Sequence, residues 1–292
     1  MIRAVVTDMD NTLYSWVDYI VPCLEAMVDS LCRTTGFPRI KVVQALKEVY
    51  ERYESNEYPF AIQESSLFQA FPEFGSFDNL VIAPAREAFS AARQRYLRPY
   101  KHVVETLTEL KKLSVPVIAL TDAPRNPVER RVLKMKLDGL LTAIYTLPAF
   151  PFPHTGVAKE ILERQKAGGV QLACPVFELP KDYEKPDPRG LLQICADFQL
   201  DPKDLVVVGD SQTKDVKIAQ LTGALDAWAE YGTYISAEYR ERLNIISADS
   251  ATRRHLQHNA AKDAQPPTVR LSGFDQVLKL VQESRARVSA VA

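Results

Sequence analysis

Asp8 and Asp10 stand two residues apart in the run Asp8-Met9-Asp10-Asn11-Thr12, directly after an apolar stretch of β-formers. In an extended strand alternate side chains share a face, so both carboxylates can address one site. One could attack phosphorus while the other hands a proton to the leaving oxygen. The second must then keep its proton near neutral pH, which its surroundings have to arrange. Asn11-Thr12 favours an immediate turn that presents backbone N–H groups to an anion. Read alone, the segment is equally a plain turn after a strand, and that is the simpler account.

Three further segments carry complementary chemistry. Thr121-Asp122 ends a second apolar run, where a hydroxyl and a following N–H at a strand–helix junction could cradle a phosphate; helix capping is the everyday alternative. Lys185 lies in Glu184-Lys185-Pro186-Asp187-Pro188, a loop stiffened by prolines, from which an ammonium could neutralise phosphate oxygens and an attacking carboxylate. A solvated lysine is the ordinary reading of such a loop. Gly209-Asp210-Ser211-Gln212-Thr213-Lys214-Asp215 follows the β-branched run Val206-Val207-Val208. Asp210 would be a metal ligand there and Asp215 a supporting or water-mediated one, although an acidic residue near a helix start is common. Carboxylates gathered at the ends of neighbouring strands repel one another unless they share a hard divalent cation. Taken together, the four segments describe an enzyme.

The elements that must position these residues follow from periodicity. Ile2–Thr7 reads as a buried central strand. Helical spacing begins at Val17, with Ile20, Leu24, Met27, Val28 and Leu31 on one face and Gly36 as a stop. Further helices are expected over Lys41–Tyr53 and Asn79–Leu97, so residues 14–99 form an all-helical block without a convincing strand. Its tethers would be Leu13–Trp16 and Leu97–Lys101, two nearby crossings that could act as a hinge. Beyond Lys101 helix and strand alternate. Helices are expected over Val103–Leu113, Val128–Leu137, Arg189–Phe198, Val216–Leu221 and Phe274–Val281. Strands are expected over Val115–Leu120, Ala143–Thr146, Leu205–Val208, Ala224–Trp228 and Thr268–Leu271. This pattern signals a doubly wound, Rossmann-like parallel sheet, an α/β core in which 1–13 and 100–292 surround an inserted helical cap at 14–99. Two stretches interrupt the rhythm: the proline-edged 147–183, with a helical piece over Val157–Lys166, and the polar 237–266.

DMDNTLY at 8–14, Thr121, Lys185 within KPDP, and GDSQTKD at 209–215 resemble the four motifs of the haloacid dehalogenase-like superfamily of hydrolases, in order and in strand-end placement. The likeness covers roughly 1–13 and 97–235, and the helical block sits where members with a helical cap carry theirs. The resemblance implies that Asp8 is a nucleophile that becomes phosphorylated. Asp10 would be the general acid/base, with its backbone carbonyl on Mg²⁺. Thr121 and the N–H of Asp122 would hold the phosphoryl group, steadied by Lys185. Asp210 would bind Mg²⁺ with Asp8, supported by Asp215. Members that displace halide lack an acid two residues after the nucleophile, and here that residue is Asp10, which favours phosphate-ester hydrolysis of a small phosphorylated metabolite. A phosphomutase acting on a sugar phosphate, and a non-catalytic binding protein on the same fold, remain as alternatives. The chain departs from the pattern in its long gap from Thr121 to Lys185, in Asp122 where many relatives have Asn, and in the extra stretch 237–266.

Bulk properties agree. With 292 residues, 46% hydrophobic and 25% charged, the chain can bury a large core plus a smaller satellite. Its 36 basic and 37 acidic residues leave no general footprint for nucleic acid or an anionic membrane. Cys23, Cys32, Cys174 and Cys195 lack metal-ligand spacing and read as thiols of a reducing compartment. The amino terminus enters a strand without a signal-peptide layout, and no apolar run approaches the roughly 20 residues that span a bilayer. A cytoplasmic protein is the expectation; its oligomeric state is open.

Overall fold

The computed structural model describes residues 1–69, 78–150, 171–249 and 265–289. Seven parallel strands form one sheet: β1 Ala4–Thr7, β2 Val117–Pro124, β3 Ala143–Leu147, β4 Val176–Glu178, β5 Leu205–Gly209, β6 Leu225–Trp228 and β7 Val269–Arg270. Their order is β4-β3-β2-β1-β5-β6-β7. The chain winds outward from β1 to β4, then returns to lay β5 on the other flank of β1. Such a reversal opens a crevice at the carboxyl ends of the central strands.

Alternation along the strands sorts the core into two layers. Val5, Val117, Ala119, Val206 and Val208 point into one layer with Leu107 and Leu110 of α4 (Val103–Lys112), Val128 and Val132 of α5 (Arg125–Lys134), and Val277 and Val281 of α9 (Gln276–Ser289). Ala4, Val6, Ile118 and Leu120 point into the other, against Leu191 and Ile194 of α6 (Arg189–Phe198) and Ile218 of α7 (Lys217–Thr222). The central strands β1, β2 and β5 are buried on both faces, which is why their sequences begin as continuous apolar runs.

Between β1 and β2 the chain forms helices, among them α1 (Trp16–Thr35), α2 (Arg39–Tyr53) and α3 (Ala83–Tyr96). Ser15 caps α1 by accepting from the N–H of Asp18, and Gly36, at φ 72°, ends it in the left-handed region that glycine adopts without strain. The two connections to the sheet touch: Tyr14 and Pro99 form an antiparallel bridge, and Tyr100 N–H donates to the Leu13 carbonyl at 2.8 Å.

Three expectations need correction. β2 runs to Pro124, so Thr121 and Asp122 lie inside a strand and not at a strand–helix junction. Its register against β3 slips between Leu120 and Pro124, a bulge that frees residues 121–123 from regular pairing and re-aims them. A strand absent from the sequence reading, β4, occupies part of 147–183. The stretch 237–266 contributes α8 (Ala237–Ile246), which packs on α1 and α2. There Arg242 pairs with Glu25 at 2.5 Å, Lys47 donates to the Asn244 carbonyl at 3.2 Å and Asn56 donates to the Ser247 hydroxyl at 2.6 Å. The insert is therefore held by a third attachment besides its two tethers. The helical piece expected over Val157–Lys166 lies outside the described residues, as does the polar tract 250–264. Among the described residues, no helix is long and apolar enough to cross a membrane.

Candidate active site

The four segments meet where β1, β2 and β5 end. The Asp8 N–H donates to the Val208 carbonyl at 2.8 Å, so the aspartate leaves β1 while still pinned to β5. The Lys185 ammonium, 5% exposed, reaches across from its proline-bounded loop. It donates to Asp8 Oδ1 at 2.6 Å, to Asp215 Oδ1 at 2.7 Å and to the Leu120 carbonyl at 3.2 Å. Asp215 also accepts from the Ser211 N–H at 3.1 Å, which tucks its carboxylate under the turn after β5. Gly209 makes this possible, since a Cβ there would sit 2.1 Å from Asp215 Cγ. Thr121 is buried and accepts from the Ala123 N–H at 3.1 Å within the bulge.

Asp8, Asp210 and Asp215 bring carboxylate oxygens within 4.8 Å of one another. Burial pushes the Asp8 carboxyl well above its ordinary value; Lys185 opposes this, while Asp215, Asp210 and Asp10 add to it. Burial likewise raises Asp215 against the pull of Lys185. One ammonium among three buried carboxylates leaves an excess of negative charge on a set of oxygen donors, the chemistry that suits a hard divalent cation such as Mg²⁺.

Asp10 takes a different environment. Its Oδ1 accepts from the Tyr14 hydroxyl and, at 2.8 Å, from Arg131 Nη1. Arg131 is 1% exposed and also pairs with Glu57 of the insert, which in turn accepts from the Tyr19 hydroxyl at 2.6 Å. Burial raises the Asp10 carboxyl and Glu57 adds to that, with Arg131 working against both. A carboxyl raised in this way favours its protonated form, the form a general acid needs.

The haloacid dehalogenase-like hydrolase family matches residues 2–223. The chain belongs to this family. A glyceraldehyde 3-phosphate phosphatase of Methanopyrus kandleri is 23% identical over 244 residues, covering 82% of this chain and 89% of the relative. Among solved structures, a 2-haloacid dehalogenase from Pseudomonas syringae pv. Tomato DC3000 superposes with a TM-score of 0.58 at 18% identity, covering 97% of this chain and 99% of that one. A HAD phosphatase from Thermococcus onnurineus gives 0.55 at 15% identity, covering 96% and 98%. Both structural likenesses bear on the fold alone.

In this hydrolase the clustered residues open into a cavity of about 610 Å³. Asp8, Asp10, Thr121, Asp122, Lys185, Asp210 and Asp215 all line it, so every residue picked out from the sequence arrives at one place. Its roof is the end of α2 and the turn beyond, including Arg52, Tyr53 and Glu57. Several participants escape a linear reading. Lys214 donates to Asp122 Oδ2 at 2.8 Å, and Asp122 Oδ1 accepts from the Lys185 N–H at 3.0 Å. The side chain of Asp122 thus positions both lysines, a role its expected backbone contact did not suggest. The end of β6 props the turn at Asp210, and the loop after it props the first motif. Trp228 Nε1 donates to the Asp210 carbonyl at 2.8 Å, and the Tyr231 hydroxyl donates to the Thr12 carbonyl at 2.6 Å. Gly232 lies so close that a Cβ would fall 1.6 Å from the Asn11 carbonyl oxygen.

Proposed function

We propose that this hydrolase is a Mg²⁺-dependent phosphatase that cleaves phosphate monoesters of small metabolites through a phosphorylated Asp8. The observation that carries the reading is the convergence on Lys185: its ammonium bridges Asp8 and Asp215 beside Asp210, in a cavity large enough for a small organic phosphate. Residues 14–99 serve in this reading as a cap over a catalytic core of 1–13 and 100–292. The phosphatase names of its relatives, a three-carbon phosphate ester in the case of Methanopyrus kandleri, favour a short phosphorylated substrate. All four cysteines are free thiols, in keeping with action in the reducing cytoplasm.

The residues divide the work. Asp8 attacks phosphorus in line with the ester oxygen, and Asp10 gives its proton to that oxygen as the bond breaks. Asp10 then takes a proton from the water that attacks the phosphorylated Asp8, releasing inorganic phosphate and restoring the carboxylate. Lys185 and the backbone of the Thr121–Ala123 bulge face the phosphoryl oxygens where charge develops. Mg²⁺, held by the carboxylates of Asp8 and Asp210 and the backbone carbonyl of Asp10 with Asp215 in support, would let the anionic nucleophile and the anionic ester approach.

Asp8→Asn tests this directly. Turnover of an aryl phosphate with Mg²⁺ is expected to fall by about three orders of magnitude or more, because the amide cannot act as the nucleophile. Circular dichroism should show the fold intact, and a chelator should silence the wild type equally. Full activity in the variant would refute the assignment. Uptake of oxygen from labelled water into the released phosphate separates hydrolysis from transfer to a second sugar.

A further inference from the structure

On the other side of Glu57 lies a second hollow, of about 520 Å³. Besides Arg131, three arginines border it: Arg86 and Arg93 on α3, and Arg130 on α5. Among the described residues none of the three has an ion pair; Arg93 donates only to the Ser90 hydroxyl, at 3.4 Å. The carboxylates on the same walls are Glu57, already committed to Arg131, and Glu87. Cations outnumber anions here, and the Arg130 guanidinium is held below its ordinary value by partial burial and then by the charges of Arg93 and Arg86. Like charges kept together lower the stability of the fold, a pattern met where a site awaits its ligand.

A second observation points the same way. Arg131 and Asn56 line this hollow, and among the described residues the buried atoms Arg131 Nε and Asn56 Oδ1 have no hydrogen-bond partner. Buried polar atoms without partners are uncommon in native proteins and call for an explanation. The remaining wall is apolar, with Ile82 and Phe89 prominent.

We propose that this hollow is a binding site for a small organic anion, with its carboxylate or phosphate head among Arg86, Arg93 and Arg130 and its apolar body against Ile82 and Phe89. The site is distinct from the catalytic cavity. Arg131 lines the hollow and Asp10 the catalytic cavity, and the chain of ion pairs Asp10–Arg131–Glu57 runs between them.

Calorimetric titration of the full chain with two probes, isophthalate for a carboxylate head and phenylphosphonate for a phosphate head, tests the site without relying on the phosphatase reading. At least one probe should bind at a single site, and Arg93→Gln and Arg130→Gln should each weaken it about tenfold, the value of one charge-assisted contact. Asp8→Asn should leave that binding unchanged, which separates it from occupation of the catalytic cavity. Without probe, both glutamine variants should unfold at the wild-type temperature or above it, and their aryl-phosphate turnover should stay near that of the wild type. No binding of either probe at millimolar concentration would overturn the proposal. So would undiminished binding in both glutamine variants, or a steep fall in unfolding temperature that marks the guanidiniums as supports of the fold.

Discussion

Asp122 shows how one carboxylate can organise two cations without touching phosphorus. Burial works against its charge, but Lys185 and Lys214 outweigh that and hold its carboxyl below the ordinary value. Asp122→Asn keeps an acceptor for the Lys185 N–H and loses the pull on Lys214. We expect kcat/KM to fall roughly tenfold, mostly through KM, since one charge-assisted bond is worth about 1.5 kcal/mol or more. A depressed carboxyl lends stability above its unfolded pKa, and that contribution fades as pH drops through the folded value. Urea melts should therefore show the wild type ahead of the variant at neutral pH and the gap closing in acid. Asp8 has the opposite sign. With its carboxyl raised chiefly by burial, the metal-free fold retains a proton that the unfolded chain gives up, so stability falls as pH climbs. In the proposed reading Mg²⁺ would compete with that proton, so its gain in unfolding temperature should be small near about pH 5 and larger near about pH 8. Equal gains at both would contradict a shared carboxylate site.

Elements place these groups through close packing that tolerates little change. Gly209→Ala would drive a methyl into Asp215, for which we expect a loss of roughly 1–3 kcal/mol in chemical denaturation and weakened turnover as Asp215 leaves Lys185. Three of the four motifs could be read from the sequence because each follows an apolar strand, and strand ends are where an α/β sheet gathers its ligands; Lys185 stood out only beside them, in a proline-stiffened loop. Arg131 could not. It sits in the polar run Glu129-Arg130-Arg131 of α5, where a solvated face is the natural inference, and only the approach of Asp10 and Glu57 from distant segments buries it. Nor could β4, three half-exposed residues at the sheet edge; its signal was no more than Val176-Phe177 after a proline. The bulge in β2 was hidden for a similar reason, since Ala123-Pro124 read as the approach to a helix. α8 looked like polar excess because few of its residues, Leu243 and Ile246 among them, are buried.

For the molecule as a whole, the attachment of α8 to the helical insert changes what motion costs. A hinge made of two tethers would swing freely, whereas here the Asn56–Ser247 hydrogen bond and the Arg242–Glu25 pair must part first. Ser247→Ala leaves the Asn56 amide buried with one partner fewer, a penalty of about 1–3 kcal/mol. Hydrogen exchange should then quicken in α2 and α8 while the central strands β1 and β5 stay protected. Uniform quickening across the sheet would mean that the contact secures the entire fold and not the insert alone.

The brace at Trp228, Tyr231 and Gly232 has a bearing on how the protein is born. During synthesis Asp8 emerges long before Leu205–Gly209 and the loop at Tyr231 and Gly232, yet β1 needs β5 as its neighbour and the first motif leans on that later loop. Until then β1 has only β2 to pair with and its other edge stays open, as happens when contacts join remote parts of a sequence. Truncated chains lacking that loop would carry Asp8, Lys185, Asp210 and Asp215 and are still expected to be inert toward an aryl phosphate.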